Sequence, residues 1–234
     1  LSPAQRRLYI VRQMDLVSTA YNMPEIFPLY EKVNKKRLEE SFIKLIFRHE
    51  SLRTSFHMIE NQPVQRIHKY HELEFEIEYI DLATKDKNHK LPMTNPNETG
   101  DQHSSSIIQH FFVRPFDLSQ APLLRVGLFR SAEDNHILLT DMHNIISDGV
   151  SHAKFNGDFE ILYSGGRLPV NRLQYKDYCE WQAGEKQHQA VDRQVSYWLN
   201  ELSGDIPVLD IPTDYPRPVI QTYEGKTLEF NLGR

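Results

Sequence analysis

Thr140-Asp141-Met142-His143-Asn144-Ile145-Ile146-Ser147-Asp148-Gly149-Val150-Ser151 lies between two segments of opposite character. The apolar run Ile137-Leu138-Leu139 leads into it, and a stretch with helical spacing, from about Gly149 to Tyr163, leads out. A His-Asn pair, an Asp and a Gly therefore fall on the turn between a buried strand and a helix. Rigid scaffolds display reactive groups on loops of this kind.

Working outward, strands and helices alternate with hairpins between them. Ser2 before Pro3 offers a capping hydroxyl and then a residue already fixed at helical φ, so a first helix is predicted to about Met14. Ile26 to Val33 is strand-like, although Pro24 and Pro28 disfavour a central place in a sheet. Asn34 can cap a second helix whose buried face is Leu38, Phe42, Leu45, Ile46 and His49. Leu52 to Ile59 and Val64 to His68 read as strands joined by a turn at residues 60–63. Phe75 to Ile80 mostly alternates apolar and polar, which predicts a strand with one solvated face. The polar segment 84–106 is predicted as an excursion, and 107–113 as a helix ending before Pro115. Leu123 to Arg130 and His136 to Met142 are the two clearest strands. Gly165-Gly166 stops the helix after the motif, and further helices are predicted near 174–183 and 190–202. The class is α/β, a mixed sheet flanked by helices.

Composition excludes several functions. The 234 residues are 39% hydrophobic and 25% charged, ordinary for a globular protein. A net charge of −5 with no basic stripe argues against a nucleic-acid partner. No apolar run has the length of a membrane span. The single cysteine, Cys179, excludes an intramolecular disulfide and fits a reducing, cytoplasmic location; it is expected to be buried and inert. No metal site is expected, because none of the histidines has convincing ligand spacing; His68 and His71 sit three apart at a strand end beside Lys69. Tyr175, Tyr178 and Trp181 follow helical spacing and are expected in the core. The opening Leu-Ser-Pro-Ala-Gln, with neither an initiator Met nor a signal pattern, is what a piece of a longer chain would show.

The central stretch resembles the His-His-x-x-x-Asp-Gly motif of the condensation domains of nonribosomal peptide synthetases and of the wider chloramphenicol-acetyltransferase-like superfamily. His143, Asp148 and Gly149 match it; Asn144 stands where the second His belongs. Four further segments match in the same order: Ser2-Pro3-Ala4-Gln5-Arg6-Arg7-Leu8-Tyr9-Ile10, Arg48-His49-Glu50-Ser51-Leu52-Arg53-Thr54-Ser55-Phe56, Tyr175-Lys176-Asp177-Tyr178-Cys179-Glu180-Trp181 and Asp214-Tyr215-Pro216-Arg217-Pro218.

The resemblance implies one lobe of a two-lobed, V-shaped fold. Residues 1–170 would be the N-terminal lobe carrying the motif loop. Residues 171–234 would be helices and a crossover segment leading to a C-terminal lobe. It implies amide formation between a donor aminoacyl or peptidyl thioester and an acceptor α-amine, of the kind found in antibiotic biosynthesis. Both substrates would arrive on phosphopantetheine arms of upstream and downstream peptidyl carrier domains, beside an adenylation domain, with no cofactor bound directly. The second His of the motif contacts the acceptor amine in the family. Asn144 at that position keeps a donor and an acceptor but cannot take up a proton near neutral pH. This chain is therefore expected to be inactive, and the intact neighbouring positions point to a targeted substitution. His143 is expected to brace the loop. Asp148 is expected to pair with an arginine, for which Arg48 and Arg53 are the candidates. Gly149 would leave room for a substrate arm or present its amide to an oxyanion. The rivals are another acyltransferase of the superfamily and a non-catalytic module that docks a carrier domain.

Overall fold

The computed structural model describes residues 1–30, 32–81, 112–130, 135–216 and 219. The segment 84–106, the turn at 131–134, most of the helix expected over 107–113 and Arg217-Pro218 lie outside these residues. The chain forms two compact units, Leu1–Gly184 and a second beginning at Glu185.

In the first unit, α1 spans Pro3–Met14 and starts as the sequence predicts. Ser2 Oγ accepts from Gln5 N while Gln5 Oε1 accepts from Ser2 N, a reciprocal capping box. Strand β1 is Asn22–Leu29, several residues earlier than expected. Helix α2 is Lys35–Arg48, capped by Asn34 through Arg37 N. A 3-10 turn over Glu50–Arg53 delays β2, which runs Thr54–Ile59 and pairs antiparallel with β3, Gln62–Ile67. Glu60 and Asn61 have φ of 49° and 58°, the geometry of a two-residue hairpin turn. Strand β4 is only Glu78–Asp81, shorter than the alternation from Phe75 suggests. Strands β5, Leu124–Arg130, and β6, His136–His143, fall where expected, and α3 is Gly149–Tyr163. Helix α4 is Tyr175–Gln182. In the second unit α5 is Glu185–Glu201; its first turn lacks apolar residues, so hydrophobic spacing becomes visible only from Ala190.

The main sheet has the order β1-β6-β5-β4, with antiparallel pairs except for parallel β4 and β5. The sheet is mixed, as predicted, and β1 with its two prolines takes an edge. One face packs Leu124, Val126, Leu128, Leu138 and Met142 against Tyr9 of α1, Leu38, Phe42, Leu45 and Ile46 of α2 and Phe155 of α3. The other face gathers Phe112, Phe129 and Leu139 with Ile26, Ile80 and Ile137. Gly127 is required there. A Cβ would come within 2.8 Å of both Phe112 and Phe129, closer than packed atoms tolerate. Central β6, buried along nearly its whole length, delivers its C-terminal end to the loop at 144–148.

Candidate active site

The loop is pinned from three sides. Asn144 N donates to Tyr21 O at 2.8 Å, beside β1. Gln5 Nε2, from α1, donates to Ile145 O at 3.1 Å. Ile146 N closes back on His143 O at 3.0 Å. The first motif segment therefore holds the third directly. Tyr175 of α4 adds a bond from its hydroxyl to Ser2 Oγ at 3.0 Å. Cys179 is buried as expected, 3.7 Å from Gln5 Oε1, and burial pushes its thiol pKa up.

His143 is buried between Tyr21 and Phe116, with ring centroids 6.2 and 6.1 Å away. Its Nδ1 accepts from Ile145 N at 3.0 Å, so the ring proton sits on Nε2. Burial, with the guanidinium charges of Arg12 and Arg125, lowers its pKa to about 4. A ring that is neutral at physiological pH and has its lone pair occupied is suited to bracing the turn. Asn144 is half-buried, and its Nδ2 points to Met23 Sδ at 3.1 Å. Beside Gly149 the space is open: an added Cβ would meet nothing within 4 Å.

Asp148 pairs with neither of the arginines expected for it, Arg48 or Arg53. Asp148 caps α3: Oδ1 accepts from Ser151 N at 2.8 Å and from Ser151 Oγ at 2.6 Å, and these bonds hold its pKa below the ordinary carboxylate value. Its carboxylate is thus satisfied by its own helix. Arg53 bonds His68 O at 2.6 Å and Glu50 Oε1 at 3.2 Å. Arg48 goes to Asp158 on α3, Nε to Oδ2 at 3.0 Å. The cap predicts that Asp148→Ala costs about 1 kcal/mol, well short of the loss of a buried ion pair. Urea unfolding checks this, and a loss above about 3 kcal/mol would contradict the capping role.

Two acidic residues that sequence reading passed over organise the surroundings. Asp158 is 1% exposed and accepts from Arg48, from His49 Nε2 at 2.9 Å and from Lys154 Nζ at 2.6 Å. Asp141, buried in β6, accepts from Asn22 Nδ2 at 2.7 Å and from Arg125 at 3.2 Å. Burial raises the Asp141 pKa to about 6 against those donors. Arg125 in turn bonds Arg114 O and Pro115 O and lies 3.6 Å over Phe116, the ring at the edge of His143. The signal for Asp141 was a carboxylate inside an apolar strand. For Asp158 it was a carboxylate between Phe155 and Phe159, four residues after Lys154. Tyr175, Tyr178 and Trp181, expected in the core, instead form a half-exposed ladder with centroids 5.6 and 5.7 Å apart, because α4 buries its Cys179 side.

A cavity of about 450 Å³ opens against the loop. Asn144 through Asp148 form one wall; Ala4, Leu8, Leu52 and Phe155 line it, with His49, Ser51 and Lys154 as polar groups. That volume is in the range of small-molecule sites. No cluster of three metal-ligating side chains occurs among the described residues. No helix among them is long and apolar enough to cross a membrane.

A family model described as the condensation domain matches residues 1–234. Gramicidin S synthase 2 of Brevibacillus brevis is 44% identical over 234 residues, covering 100% of this chain and 5% of that protein. Tyrocidine synthase 2 of Brevibacillus parabrevis is 42% identical over 230 residues, 98% of this chain and 6% of that protein. Among solved structures, the starter condensation domain of rhizomide synthetase superposes with a TM-score of 0.71 at 18% identity, covering 87% of this chain and 47% of that one. The X-domain from teicoplanin biosynthesis gives a TM-score of 0.72 at 22% identity, covering 94% of this chain and 46% of that one. At these identities the superpositions speak to the fold.

Proposed function

The chain belongs to the condensation-domain family, and from that premise we propose that it contributes the N-terminal lobe of a peptide-bond-forming unit in nonribosomal peptide synthesis. The unit joins a donor aminoacyl or peptidyl thioester to the α-amine of an acceptor. Both arrive on phosphopantetheine arms of carrier domains, next to an adenylation domain. The lobe comprises residues 1–170, and 171–234 lead towards the partner lobe. The observation that carries this reading is the cavity walled by residues 144–148 and lined by residues from the first, second and fourth motif segments.

The reaction asks for placement more than for reactive groups. The thioester is already activated, so holding a neutral amine close to it supplies much of the rate. His143 fixes the turn, Asp148 starts the helix and Gly149 leaves its side of the loop open. At position 144 the amide can orient an amine or a water but takes no proton, so this lobe as it stands is silent or slow. Carrier docking without chemistry is the second reading, and Asn144 is the observation that favours it.

The test is dipeptide formation from two loaded carrier domains by a complete two-lobed domain containing this lobe. Asn144→His should raise the rate by about 10²-fold, the lower range of a positioned acid–base group. The lobe alone should give no product with either residue. Retained carrier binding with no product from either two-lobed protein would favour the docking reading.

A further inference from the structure

We propose that His49, held by Asp158, is a proton acceptor of the cavity, supplying a group that position 144 lacks in this chain. The proposal rests on reading the cavity as the reaction chamber. His49 is the histidine among the cavity's lining residues, and Asn144 lines the same space.

Its placement is built from the backbone outward. His49 terminates α2: its N–H bonds Leu45 O at 2.9 Å while its own φ of −104° leaves the helix. The flanking residues are tied down. Gln174 Nε2 donates to Arg48 O at 3.0 Å, and Gln174 Oε1 accepts from Glu50 N at 3.1 Å. Gln174, the N-cap of α4, thus clamps the chain on both sides of His49.

The ring's hydrogen bonds decide its tautomer. Asp158 is held below the ordinary carboxylate pKa, because Lys154, His49 and Arg48 together outweigh the opposing effect of its burial. An ionised carboxylate only accepts, so the 2.9 Å bond to Nε2 places the ring proton on Nε2. Burial lowers the His49 pKa, outweighing the pull of Asp158, and Arg48 and Lys154 act in the same direction as burial. The ring is then neutral at pH 7 with a lone pair on Nδ1. Among the described residues nothing donates to that nitrogen, and the side chain is 21% exposed. A carboxylate that orients a neutral imidazole and leaves its far nitrogen free has the form of a general-base pair. The charged groups around the ring are Arg48 from α2, Lys154 and Asp158 from α3, and Asp148 from the facing wall.

In the step this serves, the amine nitrogen bonds the thioester carbonyl carbon and the carbon–sulfur bond breaks. The surplus amine proton passes to Nδ1 of His49, and the departing thiolate takes that proton back. Atoms and charge balance with no other reactant.

The experiment is ring-nitrogen NMR on the histidine-labelled chain, with an aminoacyl-pantetheine amide as an unreactive acceptor mimic. The free chain should show His49 as the Nε2–H tautomer. Saturating mimic should shift its Nδ1 resonance, and His49→Gln should remove that signal while leaving the His143 resonance in place. Asp158→Asn should mix the tautomers. A mimic that moves the Asn144 side-chain amide but not His49 would overturn this proposal and leave the cavity reading standing. If neither moves, the cavity reading fails and the proposal falls with it. A free chain with the proton on Nδ1 would overturn the proposal by itself.

Discussion

Asp158→Ala should destabilise the first unit by about 3–5 kcal/mol, the usual cost of removing one partner of a buried ion pair. Asp158 is 1% exposed and takes three cationic or imidazole donors from two helices. Removing it leaves the Arg48 guanidinium, which is 13% exposed, without its carboxylate and with the Pro169 carbonyl as acceptor, and frees the end of α2 from α3. Lys154→Ala, by contrast, should cost less than about 1 kcal/mol, because its side chain is 63% exposed and solvent screens the pair. Asp158 contributes while it is ionised. Its contribution is present above the unfolded carboxylate pKa and is lost as pH falls through the lower folded value. Urea unfolding at pH 7 checks the ranking, and comparable losses for the two variants would contradict it.

Asp141→Asn should expose an acid lability that the parent chain conceals. In the folded chain Asp141 binds its proton near pH 6, against 3.8 for the ordinary group. The folded state therefore gains as pH falls through 6, and the gain is complete below 3.8. His143 has the opposite sign. Its ordinary pKa of 6.5 falls to about 4 on folding, so stability is lost as pH drops below 6.5, and the loss is complete below 4. At 1.36 kcal/mol per pKa unit each effect is on the order of 3 kcal/mol, and in the parent they nearly cancel. The asparagine removes the gain and keeps the loss. Between pH 7 and pH 4 the variant should lose about 2 kcal/mol more than the parent. Unfolding midpoints measured across that range would show it, and parallel curves would contradict it.

The parts of this molecule that were legible in the sequence share a physical origin. β5, β6 and α3 are bounded by changes in hydrophobic period and by turn residues, so their limits were readable. Ser2 and Asn34 announced their helices because short polar side chains satisfy free amides at helix starts. The less legible parts depend on tertiary packing. β4 carries more apparent alternation than it has paired backbone, and the first turn of α5 has no apolar residue to mark it. At the site, the motif pointed to His143, Asn144, Asp148 and Gly149, which run from the end of β6 through the 144–148 loop to the first residue of α3. It could not reveal that the carboxylate paired with Arg48 lies ten residues beyond Asp148. Asp148 caps its own helix through Ser151, whereas Asp158 sits buried inside α3 beside the end of α2, where Arg48 reaches it. Nor does spacing indicate that Arg125, seated on Asp141, carries the ring that flanks His143.

If the cavity walled by residues 144–148 is a chamber for amide formation, the residue at position 144 controls its rate. The most direct measurement is the rate of dipeptide formation by the complete two-lobed domain with Asn144 and with His at that position, under identical carrier loading. Histidine should raise the rate about 10²-fold. Equal, readily measured rates from the two proteins would contradict it.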